Sequence, residues 1–141
     1  MPKPLFIAIS DLHLHDWDTY NENGYRTNQQ IKAINEVVIK ANKLDVPILM
    51  GGDLMHQKRH ISNGLSGFLP KLELALSNCR RGFYGIDGNH DMVDAVRGPR
   101  STGGFVSTIG PLLGITCINF KSIRVKSSGG EFMVHGIPYI E

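Results

Sequence analysis

Three short apolar runs, each followed directly by small or polar residues, organise the first part of the chain. They span residues 5–10, 46–50 and 83–87. Runs of this length without strict alternation are typical of strands buried on both faces of a parallel sheet. A polar group follows each run: Asp11-Leu12-His13, Gly51-Gly52-Asp53-Leu54-Met55-His56, and Gly88-Asn89-His90-Asp91. Ligands collect at the carboxyl ends of strands in open α/β sheets, so the pattern predicts a polar site at one sheet edge.

Amphipathic helices are predicted between these strands. Apolar residues recur at helical spacing over residues 27–43, at Ile31, Ile34, Val38 and Ala41. Thr27, with Gln30 three residues later, matches a capping box and predicts the start of this helix. Leucines between residues 65 and 76 predict a second helix that is broken or started near Pro70. The alternation of strand and helix predicts an α/β fold.

The pattern changes after residue 91. Residues 92–110 are rich in glycine and predict a long loop with one short helix near 105–109. Residues 115–119, 122–126 and 131–134 then predict short strands, with 127–130 as a hairpin connection. We expect one domain over residues 1–141.

The composition of the chain limits which cellular compartments and which partners are expected. The chain is 41% hydrophobic and 20% charged, and its net charge of +2 is too small to prove a polyanionic partner. No apolar run reaches the roughly 20 residues of a membrane span, and the N-terminus lacks a signal-peptide pattern. Cys79 and Cys117 form no C-x-x-C motif and are expected to be free thiols in a reducing compartment. We therefore expect a cytoplasmic protein without a membrane partner.

The three polar groups together supply candidate metal ligands, at Asp11, His13, Asp53, Asn89 and His90. Carboxylate, imidazole and amide groups suit Mn, Fe, Zn or Mg, and they argue against Cu(I) or an iron–sulfur cluster. A site holding two divalent metal ions about 3.5–4 Å apart can activate water and stabilise both oxygens of a phosphoryl displacement. The spacing of these residues over three strand ends therefore indicates a metal site. Phosphoryl displacement is one reaction that such a site supports.

The motifs D-x-H, G-D and G-N-H-D resemble those of the calcineurin-like metallophosphoesterases. The resemblance implies a β-sandwich flanked by helices (αββα). It implies that Asp11 and His13 hold one metal ion, Asp53 bridges two, and Asn89 helps to hold the second. It further implies that His90 donates a proton to the leaving oxygen and that Asp91 orients it.

The histidine three residues after Asp53 narrows the resemblance. Gly51-Gly52-Asp53-Leu54-Met55-His56 is similar to the G-G-D-L-F-H of Mre11/SbcD-type nuclease subunits. There the histidine is thought to position the phosphate or to stabilise its charge, although a surface histidine at a helix start is the alternative. This resemblance implies a DNA exonuclease or endonuclease using two ions, expected to be Mn²⁺. It would act in phage-like recombination or repair, with an SMC-like, Rad50-type ATPase partner or as a homodimer.

Two other histidines leave alternatives open. Val134-His135-Gly136 resembles the family's fourth motif, but 136–140 resembles the segment that precedes that motif. His135 is then either a metal ligand or an ordinary strand residue with the ligand beyond Glu141. On the second alternative the chain covers only the N-terminal part of a catalytic domain, so we expect weak metal binding and poor hydrolysis by the chain alone. His15 is interpreted as a solvated loop histidine.

Other functions stay open on the sequence alone. One is a phosphomonoesterase or cyclic-nucleotide phosphodiesterase of the same fold, and another is a non-catalytic fragment. Several cations are candidates for phosphate contacts, although scattered cations are usually a solvated surface: Lys58, Arg59, Arg80, Arg81, Arg97 and Arg100.

Overall fold

The computed structural model describes residues 3–15, 22–56, 63–92 and 103–139, with the backbone alone described at 63–66. The strands are β1 (Ile7–Ile9), β2 (Ile48–Met50), β3 (Phe83–Gly85), β4 (Ile115–Cys117), β5 (Ser122–Ser127) and β6 (Gly130–His135). The helices are α1 (Tyr25–Leu44), α2 (Asn63–Ser77) and α3 (Phe105–Thr108). A 3₁₀ turn precedes α1 at Glu22–Gly24, and another follows α3 at Gly110–Leu113.

Strands β1 to β4 form a parallel sheet in the order β1-β2-β3-β4. The register pairs Ile7 with Ile48, Ile48 with Phe83, and Phe83 with Ile115. The prediction that the first three apolar runs form adjacent parallel strands is confirmed. The segment 115–119, predicted only as one of the short strands near the end of the chain, joins this sheet as β4. The fold is therefore mixed α/β, as predicted.

The core lies on the sheet face that α1 and α2 cover. Ile48, Phe83 and Ile115 are buried there in one cluster with Ile34 of α1 and Leu72 of α2. This face takes alternate strand residues because successive side chains of a strand point to opposite sides. The burial of this face anchors the strands whose ends carry the polar groups.

Strand β1 lies at the edge of the sheet, beside β2. Ala8 is exposed and its neighbours Ile7 and Ile9 are half-buried. The prediction that residues 5–10 are buried on both faces is therefore wrong. Ala8 lies on the sheet face that also carries Leu49 and Tyr84, which are only half-buried. An apolar run does not show whether both faces of a strand are covered, because the cover comes from segments that are distant in sequence.

Helix α1 begins at Tyr25, two residues before the predicted N-cap Thr27. Gly24 occupies the cap position in a left-handed conformation, with φ of 72°. The capping box is therefore a wrong prediction. The Nε2 of Gln30 instead faces the carbonyl oxygens of Leu12 and His13, at 3.5 and 3.4 Å. Gln30 thereby ties α1 to the loop that follows β1.

Helix α2 runs from Asn63 to Ser77 with Pro70 in its interior. The prediction that the helix breaks or starts at Pro70 is wrong. Buried apolar residues on both sides of the proline pack into the core, at Phe68, Leu72, Ala75 and Leu76. Burial of this face compensates for the backbone hydrogen bond that a proline removes from a helix.

Strands β5 and β6 form the predicted antiparallel hairpin, from Ser122 opposite His135 to Ser127 opposite Gly130. Side chains of the hairpin and of the second face of the parallel sheet line an open groove of about 430 Å³. The lining includes Phe6, Ala8, Leu49, Tyr84 and Val134. The described residues therefore leave this second face of the sheet partly uncovered.

Both cysteines are free thiols; Cys79 is buried and Cys117 is half-buried. Among the described residues, none forms a helix of the length and apolar character that a membrane crossing needs.

Two isoleucines of α1 provide a matched test of this packing. Ile34 is 2% exposed in the core, whereas Ile39 is 67% exposed on the same helix. We predict that Ile34→Ala lowers the free energy of unfolding by about 2–5 kcal/mol, because it leaves a cavity. Ile39→Ala should change it by less than about 0.5 kcal/mol. Urea unfolding followed by circular dichroism measures both, and equal effects would contradict the described packing.

Candidate metal centre

The predicted site residues follow neighbouring strands at the same edge of the sheet. Asp11 and His13 follow β1, Asp53 and His56 follow β2, and His90 follows β3. Because these strands are parallel and adjacent, their carboxyl ends meet. The fold therefore brings together side chains that are up to 79 positions apart, as the numbers of Asp11 and His90 give.

The loops after β1 and β2 continue side by side beyond the strands. Their backbones are joined by hydrogen bonds of 2.8–3.2 Å, from Asp11 N to Gly52 O, His13 N to Asp53 O, Leu14 N to Leu54 O, and His56 N to Leu14 O. Leu14 also forms a parallel bridge with Met55. The backbone positions of the polar residues are thus fixed by the same kind of pairing that builds the sheet.

Three site residues have left-handed backbone conformations. The φ angle is 55° at Asp11, 44° at His13 and 54° at Asp53. Such conformations are uncommon outside glycine, although aspartate, asparagine and histidine adopt them more readily than other residues. They cost on the order of 1–3 kcal/mol each and cluster at ligand sites, where the surrounding structure maintains them.

One candidate ligand group combines two carboxylates and an imidazole. Each of the three residues has one possible ligand atom within 4.8 Å of those of the other two: Asp11, His13 and Asp53. The Nε2 of His13 lies 3.9 Å from Oδ1 of Asp11, whose side chain is 66% exposed. Two carboxylates and an imidazole are donors that divalent ions such as Mn²⁺, Zn²⁺ or Mg²⁺ accept. These residues fit a bound divalent ion.

A glycine keeps space for Asp53. A Cβ placed on Gly88 would collide with the side chain and backbone nitrogen of Asp53. A Cβ placed on Gly52, whose φ is 100°, would lie 2.8 Å from the backbone of Gly88. The two loops therefore approach each other more closely than residues with side chains allow.

A second candidate group consists of imidazoles alone. Ring nitrogens of His13, His56 and His90 lie within 4.8 Å of one another, and all three side chains are half-buried. The Nδ1 atoms of His13 and His56 are 3.4 Å apart. The rings of His56 and His90 stack at a centroid distance of 5.2 Å. His13 belongs to both candidate groups.

Burial, and then the neighbouring His13 and His90, hold the pKa of His56 below its ordinary value. The imidazole is therefore neutral at physiological pH. A neutral imidazole has a lone pair available to a metal ion or a proton.

His90 is held from two directions. Its backbone N–H donates to Oδ1 of Asp53 at 2.9 Å, which joins the third loop to the second. Its ring Nδ1 lies 3.3 Å from the carbonyl oxygen of His56. If Nδ1 carries the ring proton it donates to that carbonyl, so Nε2 is the nitrogen left to face the site.

Asp91 contacts backbone groups. Its buried carboxylate, 1% exposed, accepts hydrogen bonds from the backbone N–H groups of Leu54, Met55 and Gly88 at 3.3, 2.9 and 2.9 Å. Burial raises the pKa of Asp91 to about 6, although these hydrogen bonds act in the opposite direction. The Asp91 side chain was predicted to orient His90, but its contacts are with these backbone groups. The group beside the His90 ring nitrogen Nδ1 is the carbonyl oxygen of His56.

Asp87 is a second buried carboxylate, and sequence reasoning missed it. It accepts hydrogen bonds from Val106 N, Ser107 N and Asn119 Nδ2 at 2.8, 3.2 and 2.6 Å. It therefore joins the end of β3 to α3 and to the segment after β4. The available signal was an acidic residue at the end of a predicted buried strand, where a solvated side chain is not expected.

The remaining predicted residues are placed as follows. Asn89 precedes His90 in the third loop, so its backbone lies at the same edge. His15 is 4% exposed, with its ring 5.7 Å from that of His56, so the interpretation as a solvated loop histidine is wrong. His135 ends β6, where it is exposed and its Nδ1 lies 2.6 Å from Ser122 Oγ. Neither ligand group found among the described residues includes His135.

Most candidate phosphate contacts lie outside the described residues, namely Lys58, Arg59, Arg97 and Arg100. Arg81 is described and forms an ion pair with Asp45, with Nη2 and Oδ2 2.6 Å apart. That pair lies where α1 ends and before β2 begins, at the opposite end of the strands from the polar groups.

Comparison with models of known protein families and with curated proteins finds no match.

The buried carboxylate of Asp91 gives a stability prediction. Asp91→Ala removes the acceptor of three backbone N–H groups, and a buried donor left without a partner costs about 1–3 kcal/mol. We expect a large fall in the free energy of unfolding, measured by urea denaturation. Glu73→Ala, at an exposed position of α2, should leave it nearly unchanged. Similar effects would mean that the carboxylate does not hold these loops.

The close approach at Gly88 gives a second prediction. Gly88→Ala should displace Asp53 and weaken Mn²⁺ binding measured by calorimetry, because the added methyl occupies the position of the carboxylate. Gly67→Ala is the matched control, since a Cβ there meets nothing within 4 Å and alanine favours helix. It should preserve Mn²⁺ binding and raise stability. Unchanged Mn²⁺ affinity in Gly88→Ala would exclude Asp53 as a ligand.

Proposed function

We propose that the chain is a metal-dependent phosphoesterase of the calcineurin-like metallophosphoesterase type, and that its substrate is DNA. The observation that carries this proposal is the convergence of Asp11, His13 and Asp53, with ligand atoms within 4.8 Å. It occurs at the carboxyl edge of a parallel sheet, where the motif resemblance expects it. The sheet with α1 and α2 is then one half of the expected αββα sandwich.

In this proposal Asp11 and His13 would hold one divalent ion, Asn89 would help to hold a second, and Asp53 would contribute to both. Two such ions, with Mn²⁺ the expected metal, would supply an activated water and would stabilise the attacking and leaving oxygens of a phosphodiester. The left-handed backbone at Asp11, His13 and Asp53 supports this role, because strained conformations gather at ligand sites.

His90 acts as the general acid. Its Nδ1 faces the carbonyl oxygen of His56 at 3.3 Å, which leaves Nε2 to donate a proton to the leaving oxygen. Its backbone N–H contacts Asp53, so the acid and the bridging ligand are held at a fixed separation. The ring of His56 lies beside those of His13 and His90, and in this proposal His56 contacts the phosphate. Asp91 supports the acid by holding the loop backbone.

DNA is proposed on the motif that contains His56, and the same motif suggests an SMC-like, Rad50-type ATPase partner or a homodimer. A small phosphate ester is the competing substrate class. Parallel assays with linear DNA and with p-nitrophenyl phosphate in Mn²⁺ separate the two. Hydrolysis of the aryl phosphate without any of DNA would exclude the nuclease and keep the phosphoesterase.

The roles of Asp53 and His90 are separable. In an active form of the protein, Asp53→Asn should abolish both Mn²⁺ binding and hydrolysis, because it removes the carboxylate that both ions would share. His90→Gln should preserve Mn²⁺ binding and lower the hydrolysis rate by about 10²–10⁴-fold, the usual contribution of a general acid. Calorimetry measures the first effect and the DNA assay measures the second.

Asp45→Asn is the matched control for Asp53→Asn. Asp45 also has a left-handed backbone, with φ of 56°, and lies at the far end of α1. It should change neither Mn²⁺ binding nor hydrolysis. The proposal fails if the wild-type protein shows no Mn²⁺ binding that depends on Asp53. The assignment of His90 fails if His90→Gln loses the metal.

A further inference from the structure

The three imidazoles of His13, His56 and His90 converge independently of the carboxylates. We propose that they form a second, alternative metal site, selective for Zn²⁺, which shares His13 with the carboxylate group. The site itself stands on the geometry of the three rings. Its consequence for activity rests on the proposed function, since His90 is the general acid there.

The spacing of the rings fits tetrahedral zinc. Zinc–nitrogen bonds of about 2.0–2.1 Å in a tetrahedron put the ligand nitrogens about 3.3–3.4 Å apart. The Nδ1 atoms of His13 and His56 are already 3.4 Å apart. A ring nitrogen of His90 lies within 4.8 Å of both rings, so small side-chain rotations bring all three onto one ion. Three histidines leave a fourth position open to water.

The surroundings also suit a metal-bound histidine. Histidine ligands commonly give their second ring nitrogen to a backbone carbonyl, which fixes the tautomer and the ring orientation. His90 has this arrangement, with Nδ1 3.3 Å from the carbonyl oxygen of His56. His13 has a side chain that is 32% exposed, so an ion can enter from solvent.

The two groups differ in the metals they prefer. Three imidazoles favour Zn²⁺ over Mn²⁺ or Mg²⁺, whereas a set with two carboxylates accepts the harder ions. The Nε2 of His13 lies beside Asp11 and its Nδ1 lies beside His56. A neutral imidazole has only one unprotonated nitrogen, so His13 binds one ion at a time. Zinc on the imidazole group therefore withdraws a ligand from the carboxylate group and occupies His90. The ratio of zinc to manganese would then set whether the site is active or blocked.

Calorimetric titration with Zn²⁺ tests the site without an activity measurement. His56→Gln should weaken Zn²⁺ binding by at least about 10–100-fold and leave Mn²⁺ binding unchanged. Loss of a group that only hydrogen-bonds a metal ligand already has an effect of this size. Asp11→Asn should weaken Mn²⁺ binding and leave Zn²⁺ binding unchanged. Asparagine adopts the left-handed backbone of this position readily, so the substitution should not disturb the fold. His135→Gln is the histidine control and should preserve Zn²⁺ affinity.

The wild-type protein gives a second measurement that no folding defect can affect. Zn²⁺ should shift the ring ¹⁵N resonances of His13, His56 and His90 together at one equivalent, and leave those of His135 in place. The proposal is overturned if His56→Gln keeps full Zn²⁺ affinity, if Asp11→Asn weakens Zn²⁺ as much, or if only His13 shifts. Failure of the proposed function would appear separately, as missing Mn²⁺ binding that depends on Asp53.

Discussion

The buried carboxylate of Asp91 is the contact on which the arrangement of the site depends. It accepts backbone hydrogen bonds from Leu54 and Met55 in one loop and from Gly88 in another. A charged group so deeply buried is costly without partners, and here the backbone donors compensate for its lost hydration. The second loop also pairs with the first through backbone hydrogen bonds. Asp91 thus joins the second and third polar segments, and backbone pairing joins the second segment to the first.

The hydrogen bonds around the site explain how Asp11, His13 and Asp53 keep a left-handed backbone. Each conformation is unfavourable by itself, and a free loop would relax out of it. Three sets of contacts hold the backbone in place. The two loops pair through backbone hydrogen bonds, the Gln30 side-chain amide donates to carbonyl oxygens of the first loop, and the Asp91 carboxylate accepts from the backbone of the other two. Strain at the edge is therefore balanced by hydrogen bonds around it and by the apolar core under the sheet. The side chains that face solvent are positioned before any ligand arrives.

The sequence predicted the parallel strands and the residues at their ends, because short apolar runs followed by glycine and aspartate are local signals. It did not predict the start of α1, since the cap depends on the left-handed Gly24 and Gln30 is drawn away to another loop. The resemblance implied that Asp91 orients His90, whereas its side chain accepts hydrogen bonds from the backbone of Leu54, Met55 and Gly88. The burial of His15 and the role of Asp87 were missed because both depend on segments far away in the chain.

The backbone pairing of β1 and β2 continues beyond the ends of the strands, so the spacing of the sheet also sets the spacing of the site residues. Neighbouring strands lie about 4.7–4.9 Å apart, and Asp11 and Asp53 inherit their separation from that spacing. The distance between the carboxylates is then set by backbone geometry that is common to all sheets, and the helices contribute little to it. Insertions within the connecting helices leave such a distance unchanged. A single residue inserted between β1 and His13 would instead break the register of the backbone hydrogen bonds that join the two loops.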